Sequence, residues 1–252
     1  MNKIKQSFAW WSFSRGVENI PAFFNAAHQI GYAGVELLPQ DLWPVATDSG
    51  LVIASEGAGS LTQGLNHRQN HPKIVDEVMQ KLELAVKFGI LNLIVFSGNR
   101  MGLADSEGAA NTVEGLSRIA PAAESYGVSL VLELLNSKVD HIDYQCDHTS
   151  WAVDVVSQVN SPRVKILYDI YHMQVMEGDI IRTIKQNAHI IGHVHTAGNP
   201  GRRDLDNQQE LNYPAILGAL VETGYTGFVG QEFVPKGDAL AALQSAYRLC
   251  DV

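Results

Sequence analysis

Cysteine is nearly absent from this chain of 252 residues, which contains only Cys146 and Cys250. The two residues are far apart and form no spacing motif, so the sequence predicts neither a disulfide framework nor a cysteine-based zinc site. Reduced thiols of this kind are typical of cytoplasmic proteins. The segment MNKIKQSFAWWSF lacks the apolar core of a signal sequence, and no apolar run reaches membrane-spanning length. We therefore expect a cytoplasmic protein that does not associate with membranes.

Positive charge is also scarce, because 18 lysine and arginine residues stand against 27 aspartate and glutamate residues. The formal net charge of −9 argues against a nucleic-acid partner, since binding a phosphate backbone requires a basic surface. A glycine-rich phosphate turn is missing as well, because the first apolar segment runs into SFAWWSFSRG. Its absence disfavours a doubly wound nucleotide-binding sheet.

Apolar segments alternate with amphipathic segments along the whole chain. Eight segments have the length and composition of buried strands, at 4–9, 33–38, 51–57, 91–98, 129–136, 165–172, 190–198 and 227–233. Segments with helical spacing follow them at 19–31, 41–48, 73–89, 113–126, 146–159, 180–187, 213–223 and 238–249. This order predicts an α/β fold, a (β/α)8 TIM barrel that forms a single domain over residues 1–252.

Each of the last four predicted strands carries an acid or a histidine near its carboxyl end. These residues are Glu133, Asp169, His195 and Glu232, on four consecutive strands. In a barrel the carboxyl ends of neighbouring strands meet at one mouth, so the four side chains can converge. Burying several carboxylates without a cation is costly. Three carboxylates and one imidazole suit a divalent ion, and we expect Mn, Mg or Co in preference to zinc.

Other polar and aromatic residues near the strand ends have two readings. Glu36 ends the second predicted strand and is read as a supporting or structural acid. His193 shares a face with His195 but lies deeper, so a satisfied interior histidine is favoured over a fifth ligand. Trp10 and Trp11 follow the first strand and either wall a pocket or cap the barrel.

Several longer motifs carry a resemblance to a known family. They are LELLN, LYDIYHMQVMEGD, HVHTAGNPGR, ELNYPAI and GYTGFVGQEFVPKG, and they are densest between residues 129 and 237. The chain resembles the xylose-isomerase-like TIM-barrel superfamily, and within it the hydroxypyruvate isomerase family. It is less similar to the ketose 3-epimerases. The resemblance implies a sugar isomerase or epimerase of carbohydrate metabolism.

The resemblance also implies roles for individual residues. Glu133 and Glu232 would bind the metal and move the proton, and Asp169 would be a further ligand. His195 matches the epimerases, whereas hydroxypyruvate isomerases can carry glutamine there. Substrate contacts would come from His172 and Arg202, with His67 and Arg68 where those isomerases have a second basic loop.

The expected reaction is isomerisation of a small hydroxy-carbonyl compound through an enediolate, using the two glutamates. The substrate is a hydroxy-keto acid or a ketose. A ketose 3-epimerase remains open, as does a polyol dehydratase of the same superfamily. A metal-dependent endonuclease is disfavoured by the acidic charge, and a non-catalytic sugar-binding module by the paired glutamates. The oligomeric state is left open, with a homo-oligomer among the options.

Overall fold

Parallel pairing joins the neighbouring strands of the computed structural model, which describes residues 4–252. Residues 1–3 of the predicted domain lie outside the described residues. The strands are β1 (Lys5–Ala9), β2 (Gly34–Glu36), β3 (Val52–Ile53), β4 (Ser55–Gly57), β5 (Asn92–Val95), β6 (Ser129–Glu133), β7 (Val164–Asp169), β8 (Ile191–Thr196) and β9 (Phe228–Gln231). Their order in the sheet is β3-β2-β1-β9-β8-β7-β6-β5-β4, which confirms the predicted barrel.

The third predicted strand is interrupted at a single residue, Ala54. Its first part, β3, pairs with β2, and its second part, β4, pairs with β5. The amide of Ala54 donates to Val35 O at 3.0 Å, and the amide of Leu37 donates to Ser55 O at 3.2 Å. The two parts therefore occupy one position of an eight-position barrel and close it between β2 and β5.

Helices cover the outside of this barrel and bury their apolar faces against it. They are α1 (Trp10–Phe13), α2 (Ile20–Ile30), α3 (Trp43–Asp48), α4 (His71–Phe88), α5 (Asp105–Tyr126), α6 (Thr149–Val159), α7 (Ile170–Met176), α8 (Ile180–Asn187), α9 (Tyr213–Glu222) and α10 (Ala239–Cys250). Short 3-10 turns lie at Gln40–Leu42, Arg68–Asn70 and Ala188–Ile190. Within the described part of the chain, no helix combines the length and apolar character needed to cross a membrane.

Several predicted boundaries differ from those of the structure, and two of the differences illustrate the local packing and capping involved. The helix predicted at 113–126 begins at Asp105. Gly108 lies within its first turns and does not break it. The glycine allows close packing, since a Cβ at position 108 would overlap the Gln145 side chain. The strand predicted at 165–172 ends at Asp169. The Asp169 carboxylate accepts from the amide of His172 at 2.9 Å, and this N-cap starts α7 directly after the strand.

The interior of the barrel is divided into an apolar part and a polar part. Ile94, Val131 and Leu167 form a small buried cluster inside the sheet. Glu36 and His193 are also fully buried, with no exposed surface. The larger apolar core lies between the strands and the surrounding helices. The polar part of the interior, which contains Glu36 and His193, lies directly beneath the candidate functional site.

Candidate metal centre

Strand register brings the four predicted strand-end residues together. Asp169 is the cross-strand partner of His195, and His195 is the partner of Gly230 on β9. Glu232 follows two residues after Gly230 and its amide still donates to Thr196 O at 2.9 Å, so it points to the same face one step higher. Glu133 ends β6 beside Leu167, two residues before Asp169. The four side chains therefore meet at the mouth.

One ligand atom from each of Glu133, Asp169, His195 and Glu232 lies within 4.8 Å of every other. His195 Nδ1 is 3.1 Å from a Glu232 oxygen and 3.4 Å from a Glu133 oxygen. All four residues are buried, the most exposed of them at 6%. Three buried carboxylates around one imidazole form a donor set suited to a divalent cation.

Two of these donor atoms lack a hydrogen-bond partner among the described residues. They are Asp169 Oδ2 and His195 Nδ1, which approaches the two glutamates without an aligned hydrogen bond. A buried polar atom without a partner costs about 1–3 kcal/mol, so such atoms are rare unless something else binds there. The residues present therefore fit a bound metal ion.

Burial and neighbouring charges shift the pKa values of the three acids in different directions. Burial raises the pKa of Asp169 to about 7 and also raises the pKa of Glu133. Burial opposes ionisation of Glu232, but the charges of His195 and Arg202 hold its pKa well below the usual range. For His195, burial acts against the charged form, but Glu232 and Glu36 raise its pKa well above the ordinary value. Without a metal, the cluster therefore retains protons on His195 and, below pH 7, on Asp169.

We expect Mg²⁺ binding to release about one more proton near pH 6 than near pH 8.5, because a ligand must lose its proton before it binds the ion. Asp169, whose pKa is about 7, carries that extra proton at the lower pH and has lost it at the higher one. Metal affinity should accordingly rise with pH up to about 7 more steeply than above it. Titration calorimetry in buffers of different ionisation enthalpy measures the protons released.

The matched control is Asp169→Asn, whose side-chain oxygen can still accept from the His172 amide. This variant should release about the same number of protons at both pH values, because the titrating carboxyl is gone. Equal release by the wild-type protein at the two pH values would contradict the protonation assigned to Asp169.

Beneath the mouth, the Glu36 carboxylate holds both histidines of β8. Glu36 Oε2 lies 2.7 Å from His193 Nε2 and 3.3 Å from His195 Nε2. The hydroxyls of Ser7 and Ser55 donate to the same carboxylate. Burial opposes its ionisation, but the two imidazoles hold the pKa of Glu36 well below the usual range. An ionised Glu36 accepts from His195 Nε2–H and so leaves Nδ1 to face the other acids.

Gly230 makes room for this arrangement. A Cβ at position 230 would overlap the Glu36 carboxylate and lie 3.0 Å from His195 Cδ2. Glycine inside a strand often marks such a close approach. The absence of a side chain on β9 therefore allows Glu36 and His195 to pack together.

His172 and Arg202 also reach the cluster. His172 Nε2 is 3.8 Å from Asp169 Oδ2 and fully buried. Burial and the Arg202 charge lower the pKa of His172 well below the ordinary value. The Arg202 guanidinium contacts a Glu232 oxygen at 2.5 Å and lies 4.0 Å from Asp169. Both residues therefore line the mouth beside the acids.

Aromatic rings flank Arg202 on two sides. Its guanidinium carbon is 5.2 Å from the Trp11 ring centre and 5.9 Å from that of Tyr171. Trp11 Nε1 also donates to a Glu232 oxygen at 2.9 Å. Trp10 instead packs in the core against Phe23 and Phe24. Of the two tryptophans, Trp11 therefore lies at the site.

His67 and Arg68 make their described contacts elsewhere. His67 Nε2 lies 3.2 Å from Asn99 O in the loop after β5. Arg68 pairs with Glu114 on α5 at 2.6 Å, and its side chain is 64% exposed. Within residues 4–252, the hydrogen bonds and ion pairs of these two residues do not include the four-residue cluster.

The chain is similar to known proteins in both sequence and fold. The model of the xylose isomerase-like TIM barrel family matches residues 24–249. A Xenopus laevis protein named "Putative hydroxypyruvate isomerase" is 29% identical over 254 aligned positions, covering 92% of this chain and 90% of the relative. The 2-oxo-tetronate isomerase of Cupriavidus necator is 32% identical over 134 positions, covering 53% of this chain and 51% of that protein. A solved Brucella melitensis structure described as "AP endonuclease, family 2" matches with a TM-score of 0.83 and 26% identity, covering 95% and 97% of the chains.

Proposed function

Because this chain belongs to the xylose isomerase-like TIM barrel family, we propose that it is a divalent-metal-dependent isomerase of a small hydroxy-keto acid such as hydroxypyruvate. The enzyme is of the isomerase or epimerase type, in agreement with the names of the relatives. Both names refer to hydroxy-keto acids, which favours this class over a neutral ketose. We propose Mn²⁺, Mg²⁺ or Co²⁺ as the ion.

The proposal depends above all on the pairing of two glutamates. Glu133 and Glu232 come from non-adjacent strands, yet both carboxylates approach the same nitrogen of His195, at 3.4 and 3.1 Å. Both are buried, and their pKa values are shifted in opposite directions. Two carboxylates of unequal basicity in one buried site suit a proton transfer within a substrate.

Glu133, Asp169, His195 and Glu232 would hold the ion. When bound, a divalent cation polarises a carbonyl group and makes the adjacent C–H more acidic. Glu133, with its raised pKa, takes the proton from the hydroxyl-bearing carbon and returns it to the neighbouring carbonyl carbon. Glu232, ionised in the free site, accepts the proton of the substrate hydroxyl and passes it to the other substrate oxygen, which returns Glu232 to its ionised form. One C–H and one O–H proton thus exchange positions, and the substrate passes through an enediolate.

Proton exchange tests this function directly. The enzyme is loaded with Mg²⁺ in D₂O, and hydroxypyruvate and neutral ketoses are followed by NMR. We expect an aldehyde isomer of hydroxypyruvate to form, with deuterium at the former carbonyl carbon to the extent that Glu133 exchanges its proton with solvent. If neither acids nor ketoses form an isomer or exchange a carbon-bound proton, the assignment as an isomerase fails.

Arg202 is the group that we expect to bind the carboxylate of the substrate. Its Nε is buried and has no partner among the described residues, so the guanidinium retains a donor for a ligand. Its planar fork suits a carboxylate, and lysine cannot reproduce the paired bonds. We expect Arg202→Lys to raise KM for hydroxypyruvate by about tenfold or more, equivalent to roughly 1.4 kcal/mol of lost binding, while metal affinity stays unchanged.

Arg203→Lys is the matched control, because Arg203 is the neighbouring residue and is exposed. It should leave KM unchanged. Steady-state kinetics with competing hydroxypyruvate and neutral ketoses decides between the substrate classes. If ketoses turn over faster in the wild-type enzyme and Arg202→Lys affects both classes equally, the acid assignment is wrong.

His195 supports a second candidate, a ketose 3-epimerase, since the sequence resembles the epimerases at this position. Epimerisation would require Glu232 to return a proton to the opposite face of the carbon from which Glu133 removes it. A nuclease function has less support, although one structural relative is described as an endonuclease. The net charge of −9 opposes binding to DNA.

A further inference from the structure

Asn136 lies in the loop after β6, three residues beyond Glu133, and is completely buried. Its side-chain oxygen accepts from two backbone amides, those of Val139 at 3.0 Å and Asp140 at 2.9 Å. A backbone N–H can only donate, so these two contacts identify Oδ1. The orientation of the amide group is therefore fixed by the backbone.

The amide nitrogen of Asn136 consequently faces the other way, toward two acceptors. It lies 2.6 Å from Asp140 Oδ2 and 2.6 Å from His172 Nδ1. The Tyr171 hydroxyl donates to the same Asp140 oxygen at 2.8 Å and holds that carboxylate in place. Both N–H groups and both lone pairs of Asn136 are thereby used, so flipping the amide would break four hydrogen bonds.

This arrangement determines which nitrogen of His172 carries the proton. Nδ1 must accept, because the Asn136 nitrogen can only donate, and a neutral imidazole then has its hydrogen on Nε2. Nε2 is buried, has no partner among the described residues and lies 3.8 Å from Asp169 Oδ2. The rings of His141 and Tyr171 pack against His172 with centres 5.2 and 5.1 Å away and hold its orientation.

We infer that Asn136 is a positioning residue that fixes His172 in the tautomer whose Nε2–H donates to the substrate oxygen that becomes negatively charged. The inference rests on the proposed function, because it assigns that donor a task in the isomerisation. Neither the identity of Asn136 nor a sequence motif indicates the role; it follows from the four bonds of the amide. A donor aimed at developing charge stabilises the transition state more than the ground state.

Exchanging the side chains of Asn136 and Asp140, which leaves the net charge unchanged, tests the inference. In the double variant Asn136→Asp with Asp140→Asn, the carboxylate lies next to His172 and can only accept, so a neutral His172 ring must carry its hydrogen on Nδ1 and not on Nε2. Asp140→Asn alone is the matched control, because its amide oxygen can still accept from Asn136 and Tyr171. We expect kcat to fall by about 10²-fold in the exchange variant, the typical loss for one such donor, and by only a few-fold in the control.

The tautomer itself is measured by ¹⁵N NMR of histidine-labelled, Mg²⁺-loaded protein, with the His172 signals identified by their loss in His172→Gln. Wild type and control should show a protonated Nε2, and the exchange variant a protonated Nδ1. A protonated Nδ1 in the wild-type protein would overturn the inference. Magnesium affinity, measured by calorimetry, should be equal in the three proteins.

A double-mutant cycle separates this role from a general effect on the loop. The glutamine amide of His172→Gln can supply an N–H near the Nε2 position without depending on a tautomer. In that background the exchange should change kcat by only a few-fold, and a loss as large as in the His172 protein would contradict the inference. If the NMR result holds but wild type exchanges no substrate proton, the tautomer assignment stands and the isomerase function fails.

Discussion

Glu133→Gln and Glu232→Gln should each yield a folded protein that turns over substrate roughly 10²–10⁴-fold more slowly, the range expected for loss of one acid–base group. Glutamine keeps the size of the side chain and an oxygen that can face the metal, but it cannot take up a proton. Glu133 and Glu232 are both buried and both approach His195 Nδ1. The measurement is kcat at saturating Mg²⁺, together with magnesium affinity from calorimetry.

His195→Gln is the comparison that separates proton transfer from metal binding. His195 approaches both glutamates, but its Nε2 is engaged by Glu36, which suits a ligand better than a proton carrier. We expect a smaller loss of kcat in this variant once the metal concentration is raised, because glutamine also offers a donor atom. A loss at saturating metal as large as that of either glutamate variant would show that the division of roles is wrong.

The residues that gather at the mouth were predictable because strand parity and barrel topology are local and regular. In the four apolar runs the acid or histidine stands near the carboxyl end, so Glu133, Asp169, His195 and Glu232 had to reach the same edge. Their mutual distances confirm that geometry, whereas the roles assigned to them stay predictions.

The contacts made by the supporting residues were not predictable from local patterns. Glu36 touches His195 across 159 positions of sequence, and only the closed barrel brings them together. Trp11 resembles any aromatic residue at a strand end, yet its indole N–H donates to Glu232, which lies 221 positions away in the sequence. Asn136 is the last residue of the predicted strand 129–136, and nothing in its local pattern indicates that it contacts His172. The sequence signals which residue types are present, but tertiary packing decides which hydrogen bonds they make.

The short helix α7 illustrates a different limit. The run that ends at Asp169 continues with apolar residues, so hydrophobicity alone extends the predicted strand to His172. The carboxylate of Asp169 instead caps a helix with one oxygen and faces the cluster with the other. One side chain therefore both ends the strand and contributes to the site, and this explains why His172 lies beside Asp169.

Removal of divalent metal should abolish turnover, and Mn²⁺, Co²⁺ or Mg²⁺ should restore it. Three buried carboxylates meet in the cluster, and among the described residues the ion pairs of Glu232 with His195 and Arg202 supply positive charge beside them. Asp169 Oδ2 and His195 Nδ1 remain without hydrogen-bond partners among the described residues. A divalent ion would satisfy both atoms and reduce the repulsion between the carboxylates, so it should stabilise the fold as well as permit catalysis.

The stabilisation gives a measurement that does not depend on activity. An ion present at about 100 times its Kd should add about 2.7 kcal/mol to the free energy of unfolding, which corresponds to a rise in Tm of roughly 5–10 °C for a chain of this size. In Asp169→Asn the rise should be smaller, because Asn can keep the N-cap bond to His172 while an amide nitrogen replaces the oxygen that faces the cluster. Protein freed of divalent metal by a chelator is compared by calorimetry with and without added Mn²⁺. Elemental analysis confirms that the chelator-treated sample contains no metal. Full turnover by protein shown to be metal-free, or an equal rise in Tm in both proteins, would contradict the assignment of Glu133, Asp169, His195 and Glu232 as the metal centre.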